Sequence, residues 1–192
     1  KPTRQKWFGC ACCPPNLARL LSSLGDYCFS ENDENIYVHQ YIGGEIKSDK
    51  AEIKINSNYI KNGKIDFNIK AYKPFKLALR IPDWCDNFEL NRDYNIIDGY
   101  AYIDVNESAS VSISFNIEPK IIKCSNSVRE NIGKAAVTRG AIVYCIEEAD
   151  NGKDLQLLSI SKNSKMKVNS DLTITANGYR EKEDEKLYFN YK

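Results

Sequence analysis

Residues 111–117 read Val-Ser-Ile-Ser-Phe-Asn-Ile, with apolar and small polar side chains in strict alternation. A period of two puts Val111, Ile113, Phe115 and Ile117 on one face of an extended strand and Ser112, Ser114 and Asn116 on the other. That pattern buries one face only, and an antiparallel sheet with one dry side satisfies it. The same period recurs in Ile36 and Val38, in Ile53 and Ile55, and in Ile65, Phe67, Ile69 and Ala71. It recurs again in Leu77, Leu79 and Ile81, and in Ala101, Ile103 and Val105. Turn signals separate the runs, among them Asn62-Gly63 and Asp98-Gly99. The expected fold is mainly β: an antiparallel, jelly-roll-like β-sandwich.

Beyond Pro119 the polar stretch 125–131 interrupts the pattern, and shorter apolar runs follow at 135–137, 141–146, 155–160, 172–175 and 187–190. These predict a second, shorter and incomplete β domain, with the boundary near Asn131. The charged stretch 181–186 reads as a solvated loop. Helix signal is confined to the start. Pro14 and Pro15 suit a first helical turn, where a missing N–H costs nothing. Leu17, Leu20, Leu21 and Leu24 then share one face, and Gly25 is placed as the stop. The expected division is 1–31 helical, 32–131 sandwich and 132–192 second β domain.

The 192 residues carry a net charge of +1, which gives no global field toward nucleic acid or an anionic membrane. No apolar run reaches the ~18 residues of a membrane span. Residues 1–7 are polar and do not read as a secretion signal, and the lack of an initiator Met reads as a chain that has been cut. Seven cysteines in a chain of this length are not a disulfide framework. Cys85, Cys124 and Cys145 are expected to be buried thiols, and the setting reducing and cytoplasmic.

Three of the cysteines crowd the helix start, in Cys10-Ala11-Cys12-Cys13-Pro14-Pro15-Asn16. A helix N-terminus favours negative charge, so a thiol there is expected to hold more thiolate, the form that attacks electrophiles and binds metal. Two or three sulfurs do not complete a tetrahedral zinc site, and the spacing fits no zinc finger. On these residues alone, a nucleophile or metal role and inert buried thiols stay equally open.

The stretch Trp7-Phe8-Gly9-Cys10-Ala11-Cys12-Cys13-Pro14-Pro15-Asn16 resembles the Cys-Cys-Pro motif of glycoside hydrolase family 127, a bacterial family of β-L-arabinofuranosidases. Three further segments resemble the family in the same order: 36–42, 77–85 with Arg80-Ile81-Pro82-Asp83-Trp84, and 138–147 with Arg139-Gly140-Ala141-Ile142-Val143-Tyr144. Ala141 stands where the family has proline, and Leu90-Asn91-Arg92 stands where it has an Asn-Gly turn.

The resemblance implies an (α/α)6 catalytic barrel followed by β-sandwich domains, the N-terminal helix here being the last strip of that barrel. It implies Cys12 as nucleophile, and Cys12 and Cys13 as ligands of zinc (Zn2+). The other two ligands, one of them the acid/base Glu, would come from an upstream Glu-x-Cys motif, so the chain is expected to be a fragment without activity of its own. The implied partner is a glycan substrate, with no nucleic acid and no membrane, and a homodimer is compatible with the resemblance. Cys10 reads as a neighbouring thiol rather than a third ligand, and His39 as structural. Trp84 reads as a core or interdomain anchor rather than a sugar platform, and Arg139 as a turn residue. Two rival readings are a non-catalytic carbohydrate-binding or structural β-sandwich, and a thiol metal or redox protein built on Cys10, Cys12 and Cys13.

Overall fold

The structure is a computed structural model that describes Gly9 and residues 12–182. The segment 187–190, expected as a strand, and Cys10 lie outside the described residues. Two compact units form, one ending at Asn116 and the other beginning at Ile117.

In the first unit, α1 (Cys13–Ser22) and α2 (Leu24–Cys28) lead into β1 (Phe29–Glu31), β2 (Asn35–Val38), β3 (Gly44–Lys47) and β4 (Ala51–Asn58). A short α3 (Tyr59–Asn62) follows, then β5 (Lys64–Ala71), β6 (Phe75–Arg80), β7 (Phe88–Leu90), β8 (Asn95–Ile97), β9 (Tyr100–Val105) and β10 (Ala109–Phe115). The strands make two five-stranded sheets, ordered β1-β2-β6-β9-β8 and β3-β4-β5-β10-β7. All pairs are antiparallel except β2 with β6.

The alternation seen in the sequence is the burial pattern. Ile36, Val38, Leu77, Leu79, Ala101, Ile103 and Val105 enter the core from the first sheet. Ile53, Ile55, Ile65, Phe67, Ile69, Val111, Ile113 and Phe115 enter it from the second. One face per sheet is thereby removed from water, worth about 25 cal/mol for each Å2 of apolar surface. Both expected turns form. Asp98 and Gly99 take φ of 49° and 78°, and Ile97 pairs with Tyr100, which is a two-residue hairpin of the kind that needs positive φ at both positions. Gly63, with φ of 77°, closes α3.

Three expectations change. The helix does not run to Gly25: Ser23 leaves helical geometry (φ −110°, ψ 13°) and Gly25 sits inside α2. The Ser22 and Ser23 hydroxyls both donate to the Arg19 carbonyl, at 2.9 and 3.0 Å, a local competition that breaks the helix first. Pro119 does not interrupt a sheet but opens β11 (Pro119–Ile122), a first-residue position where its missing N–H is tolerated. β11 pairs with β12 (Ala136–Arg139), which pairs with β13 (Ile142–Tyr144), so residues 119–122 go with the second unit although they precede Asn131.

The rest of the second unit holds α4 (Glu148–Asn151) and two strand pairs, Leu158–Ile160 with Gly178–Arg180 and Met166–Val168 with Ile174–Ala176. Among the described residues of this unit no hydrophobic side chain is fully buried. No helix among the described residues is long and apolar enough to cross a membrane.

Phe67 is fully buried between the sheets. Phe67→Ala is expected to lower the unfolding free energy by about 3–5 kcal/mol, read from the urea midpoint. Leu21→Ala, at a side chain that is 61% exposed, should shift that midpoint little.

Candidate functional site

Cys12 caps α1 and Cys13 is its first residue, with Pro14 and Pro15 in the first turn. Both Asn16 donors reach the Cys12 carbonyl, the backbone N–H at 3.2 Å and the side-chain amide at 3.0 Å. Proline rings and this doubled bond hold the Cys12 backbone in place. The two thiols are exposed and their Sγ atoms lie 3.8 Å apart. Two thiolates on one tetrahedral zinc, each at about 2.3 Å, stand close to that same distance from each other. The pair therefore fits two corners of a zinc site. Among the described residues, no group of three or more His, Cys, Asp or Glu side chains is arranged to hold a metal ion.

The apolar stripe of α1 is uncovered: Leu17, Leu20 and Leu21 are exposed, and no residue of the helix is buried. What anchors the helices to the sandwich is the α2–β1 junction. Cys28 is buried there, and burial raises its thiol pKa. Its carbonyl accepts the N–H groups of His39 at 2.8 Å and Gln40 at 3.3 Å. Lys50, 4% exposed, places Nζ 3.1 Å from the Glu31 carboxylate and 3.6 Å from Asp49.

His39 directly follows β2, and both of its ring nitrogens have partners. Its Nε2 lies 2.7 Å from Ser30 Oγ and its Nδ1 lies 2.8 Å from the Tyr100 hydroxyl. Burial, and then the Arg80 charge, hold its pKa below the usual histidine value. Trp84 packs on Tyr59 and Phe115, each ring pair 6.0 Å apart, as an anchor at the edge of the core. Arg139 is nearly buried, in β12 beside Gly140, which takes φ of 57°.

The other cysteines depart from expectation. Cys85 is half-buried and donates to the Asn87 carbonyl at 3.0 Å, while Cys124 and Cys145 are exposed. Cys124 and Cys145 belong to the second unit, which buries little apolar surface, so their apolar neighbours do not enclose them. Among the described residues the buried thiol is Cys28. Its one signal was its place just before the first strand, which is not distinctive.

Residues 35–117 match the model for the β-L-arabinofuranosidase GH127 middle domain, and residues 119–184 match that for the glycoside hydrolase family 127 C-terminal domain. The chain belongs to glycoside hydrolase family 127. The two matched stretches meet where the structural units divide. Cys12 and Cys13 precede both.

A non-reducing end β-L-arabinofuranosidase of Bifidobacterium longum is 30% identical over 168 residues, which cover 79% of this chain and 26% of that protein. A solved family 127 β-L-arabinofuranosidase from Geobacillus stearothermophilus T6 superposes with a TM-score of 0.86 at 36% identity, over all of this chain and 34% of its own. A second, a GH127 β-arabinofuranosidase, gives 0.77 at 26% identity over 93% of this chain and 36% of that one. The chain thus spans about a quarter to a third of the length of these family 127 proteins.

His39 has a testable consequence. Its folded pKa lies below the unfolded value, so at mildly acid pH the unfolded state binds the extra proton. Its stabilising contribution is complete above the unfolded pKa of about 6.5 and is lost as pH falls through that value toward the folded pKa. His39→Gln is expected to flatten the fall of melting temperature between neutral pH and pH ~5.5, followed by circular dichroism.

Proposed function

We propose that this chain belongs to a retaining glycoside hydrolase that releases L-arabinose from β-L-arabinofuranosides, with Cys12 as the nucleophile. The observation that carries the reading is the paired, exposed thiols of Cys12 and Cys13 at the head of α1 in a family 127 chain. The arabinofuranosidase names of its relatives support the substrate class.

Retaining glycosidases pair an attacking carboxylate with an acid/base carboxyl. Here the Cys12 thiolate replaces the first. It attacks the anomeric carbon, a C–S bond forms, and the C–O bond to the leaving group breaks as the acid protonates that oxygen. Water, deprotonated by the same residue, then attacks the anomeric carbon. The C–S bond breaks, L-arabinose leaves with retained configuration, and the thiolate returns. The acid/base Glu and the other zinc ligands are assigned to a part of the protein upstream of α1. Zinc, when bound by Cys12 and Cys13, supplies the positive charge that keeps both thiols deprotonated at neutral pH.

The exposed leucines of α1 are assigned to packing in an (α/α)6 barrel. Thiol chemistry suits a reducing, cytoplasmic setting. The partner is a glycan, with no part for nucleic acid or membrane, and assembly as a homodimer is part of the proposal. The 192-residue chain alone, with two of the proposed zinc ligands and without the upstream acid/base Glu, is expected to be inactive.

The test is L-arabinose release from an aryl β-L-arabinofuranoside by the protein extended to the length of its relatives. Cys12→Ser should cut the rate by about 10^3-fold or more, the scale on which loss of a nucleophile acts. Equal rates in parent and variant would remove Cys12 from the mechanism, and a folded, zinc-loaded parent that releases no arabinose would remove the substrate. Cobalt substitution provides a separate reading: a thiolate-to-metal absorption band in the near ultraviolet, weakened in Cys13→Ala. A band of unchanged strength would exclude Cys13 as a ligand.

A further inference from the structure

The two outward sheet faces of the first unit differ in kind. On β5 and β10 the outward side chains include Lys64, Asp66, Asn68, Lys70, Ser110, Ser112 and Ser114, with Ser112 Oγ donating to Asp66 at 2.7 Å and Ser110 Oγ to Asn68 at 3.3 Å. That is an ordinary solvated face. The outward face of the first sheet instead carries four rings: Tyr37 and His39 at the β2 side, Tyr100 and Tyr102 on β9. Between them runs β6, whose Ala78 lies opposite both Tyr37 and Tyr102. Ala78 is fully buried although it alternates with the core residues Leu77 and Leu79, so the rings cover it from outside.

The rings form one array. Tyr37 stacks on His39 at 6.0 Å and 11°, and meets Tyr100 and Tyr102 edge to face at 5.7 and 6.2 Å. Their polar atoms are tied in: His39 to Ser30 and Tyr100, and the Tyr37 hydroxyl to the Asn35 amide at 3.2 Å. A bond to Tyr37 pushes the Tyr102 hydroxyl up to about 12, and burial with the Arg80 charge holds the His39 pKa below the usual histidine value. Around the rings stand exposed Lys76, Arg80, Asn95 and Asp104, with Lys76 and Asp104 paired at 3.7 Å.

A protein partner would need a dry apolar centre. The exposed large aliphatic side chain on this face is Ile97, at its rim beside Tyr100. An anionic partner would need an excess of cations, and Lys76 is already paired. What the face does offer is half-exposed ring surface held in place by its own hydrogen bonds, with neutral and charged hydrogen-bonding groups beside it. Pre-ordered rings lose little freedom on binding. Such rings suit the C–H faces of a sugar, and the amides and guanidinium suit its hydroxyls.

We propose that the outward face of the β1-β2-β6-β9-β8 sheet is a binding surface for a neutral oligosaccharide, carried by elements other than those that hold Cys12 and Cys13. The ligand class rests on the glycan reading of the preceding subsection.

The experiment titrates the isotopically labelled 192-residue chain with arabinotriose and follows backbone amide shifts. Shifts confined to residues 35–39, 76–80 and 95–104, with millimolar affinity, are the expected result. Tyr102→Ala should weaken binding at least tenfold. Arg80→Ala, which leaves the ring array intact, should weaken it several-fold in a chain whose spectrum stays dispersed. Ser112→Ala, on the other sheet, should bind like the parent. The proposal is overturned if no shift appears at millimolar sugar, if the shifts map elsewhere, or if both Tyr102→Ala and Arg80→Ala bind like the parent. Tighter binding of trigalacturonate than of arabinotriose would overturn the neutral ligand. Self-association of the chain that Tyr102→Ala abolishes would assign the face to a second copy instead. Cys12→Ser should bind like the parent, so failure of the thiol mechanism and failure of this surface are read separately.

Discussion

Everything in the first unit depends on one constraint: each sheet has a single dry side, and the two dry sides face each other. Ile65, Phe67, Val111 and Ile113 on one sheet and Ile36, Val38, Leu77 and Leu79 on the other are almost completely shielded from water. Because side chains alternate along a strand, a slip of one residue in any pairing would turn that whole set outward. The register is therefore set by burial as much as by hydrogen bonds. The tight Asp98-Gly99 hairpin and the Gly63 turn then follow as short connections between strands whose positions are already decided.

From this rigid body one junction reaches back to the thiols. Cys28 is buried where α2 becomes β1, and its carbonyl takes two backbone bonds from residues 39 and 40. Glu31 reaches buried Lys50, and Ser30 reaches His39. A buried ammonium is stable only with a carboxylate beside it, so the Glu31–Lys50 pair fixes where β1 lies rather than adding much stability. By contrast α1, which carries Cys12 and Cys13, has an exposed leucine stripe. α1 thus joins the sandwich through α2, and the face it presents suits packing against further protein, which accords with a chain about a third as long as its solved relatives.

The second unit shows the opposite balance. Its pairs are short, and Val143 and Ile122 stand exposed on a three-stranded sheet. Local interactions hold much of it: Arg180 donates to the carbonyls of Asn151 and Lys153 at 2.6 and 2.8 Å, and Tyr144 donates to that of Leu172 at 2.9 Å. Polar clamps of this sort can shape loops where little apolar surface is removed from water.

The sequence by itself determined the sandwich, because period-two burial is a local pattern that survives in the order of residues. It also marked Cys12 and Cys13, because adjacent thiols ahead of a proline pair are rare and match an ordered family signature. Short strands such as Met166–Val168 were not legible, since three residues carry too little periodicity to stand out. Nor was the break at Ser23, where side-chain hydroxyls outcompete the helix that the leucine spacing favours. Tertiary structure alone decided which described thiol and which lysine are buried, and that Tyr37, His39, Tyr100 and Tyr102 meet across β6. These depend on contacts between residues far apart in the chain, and pairing distant strands is a property of the folded sheet rather than of any window of sequence.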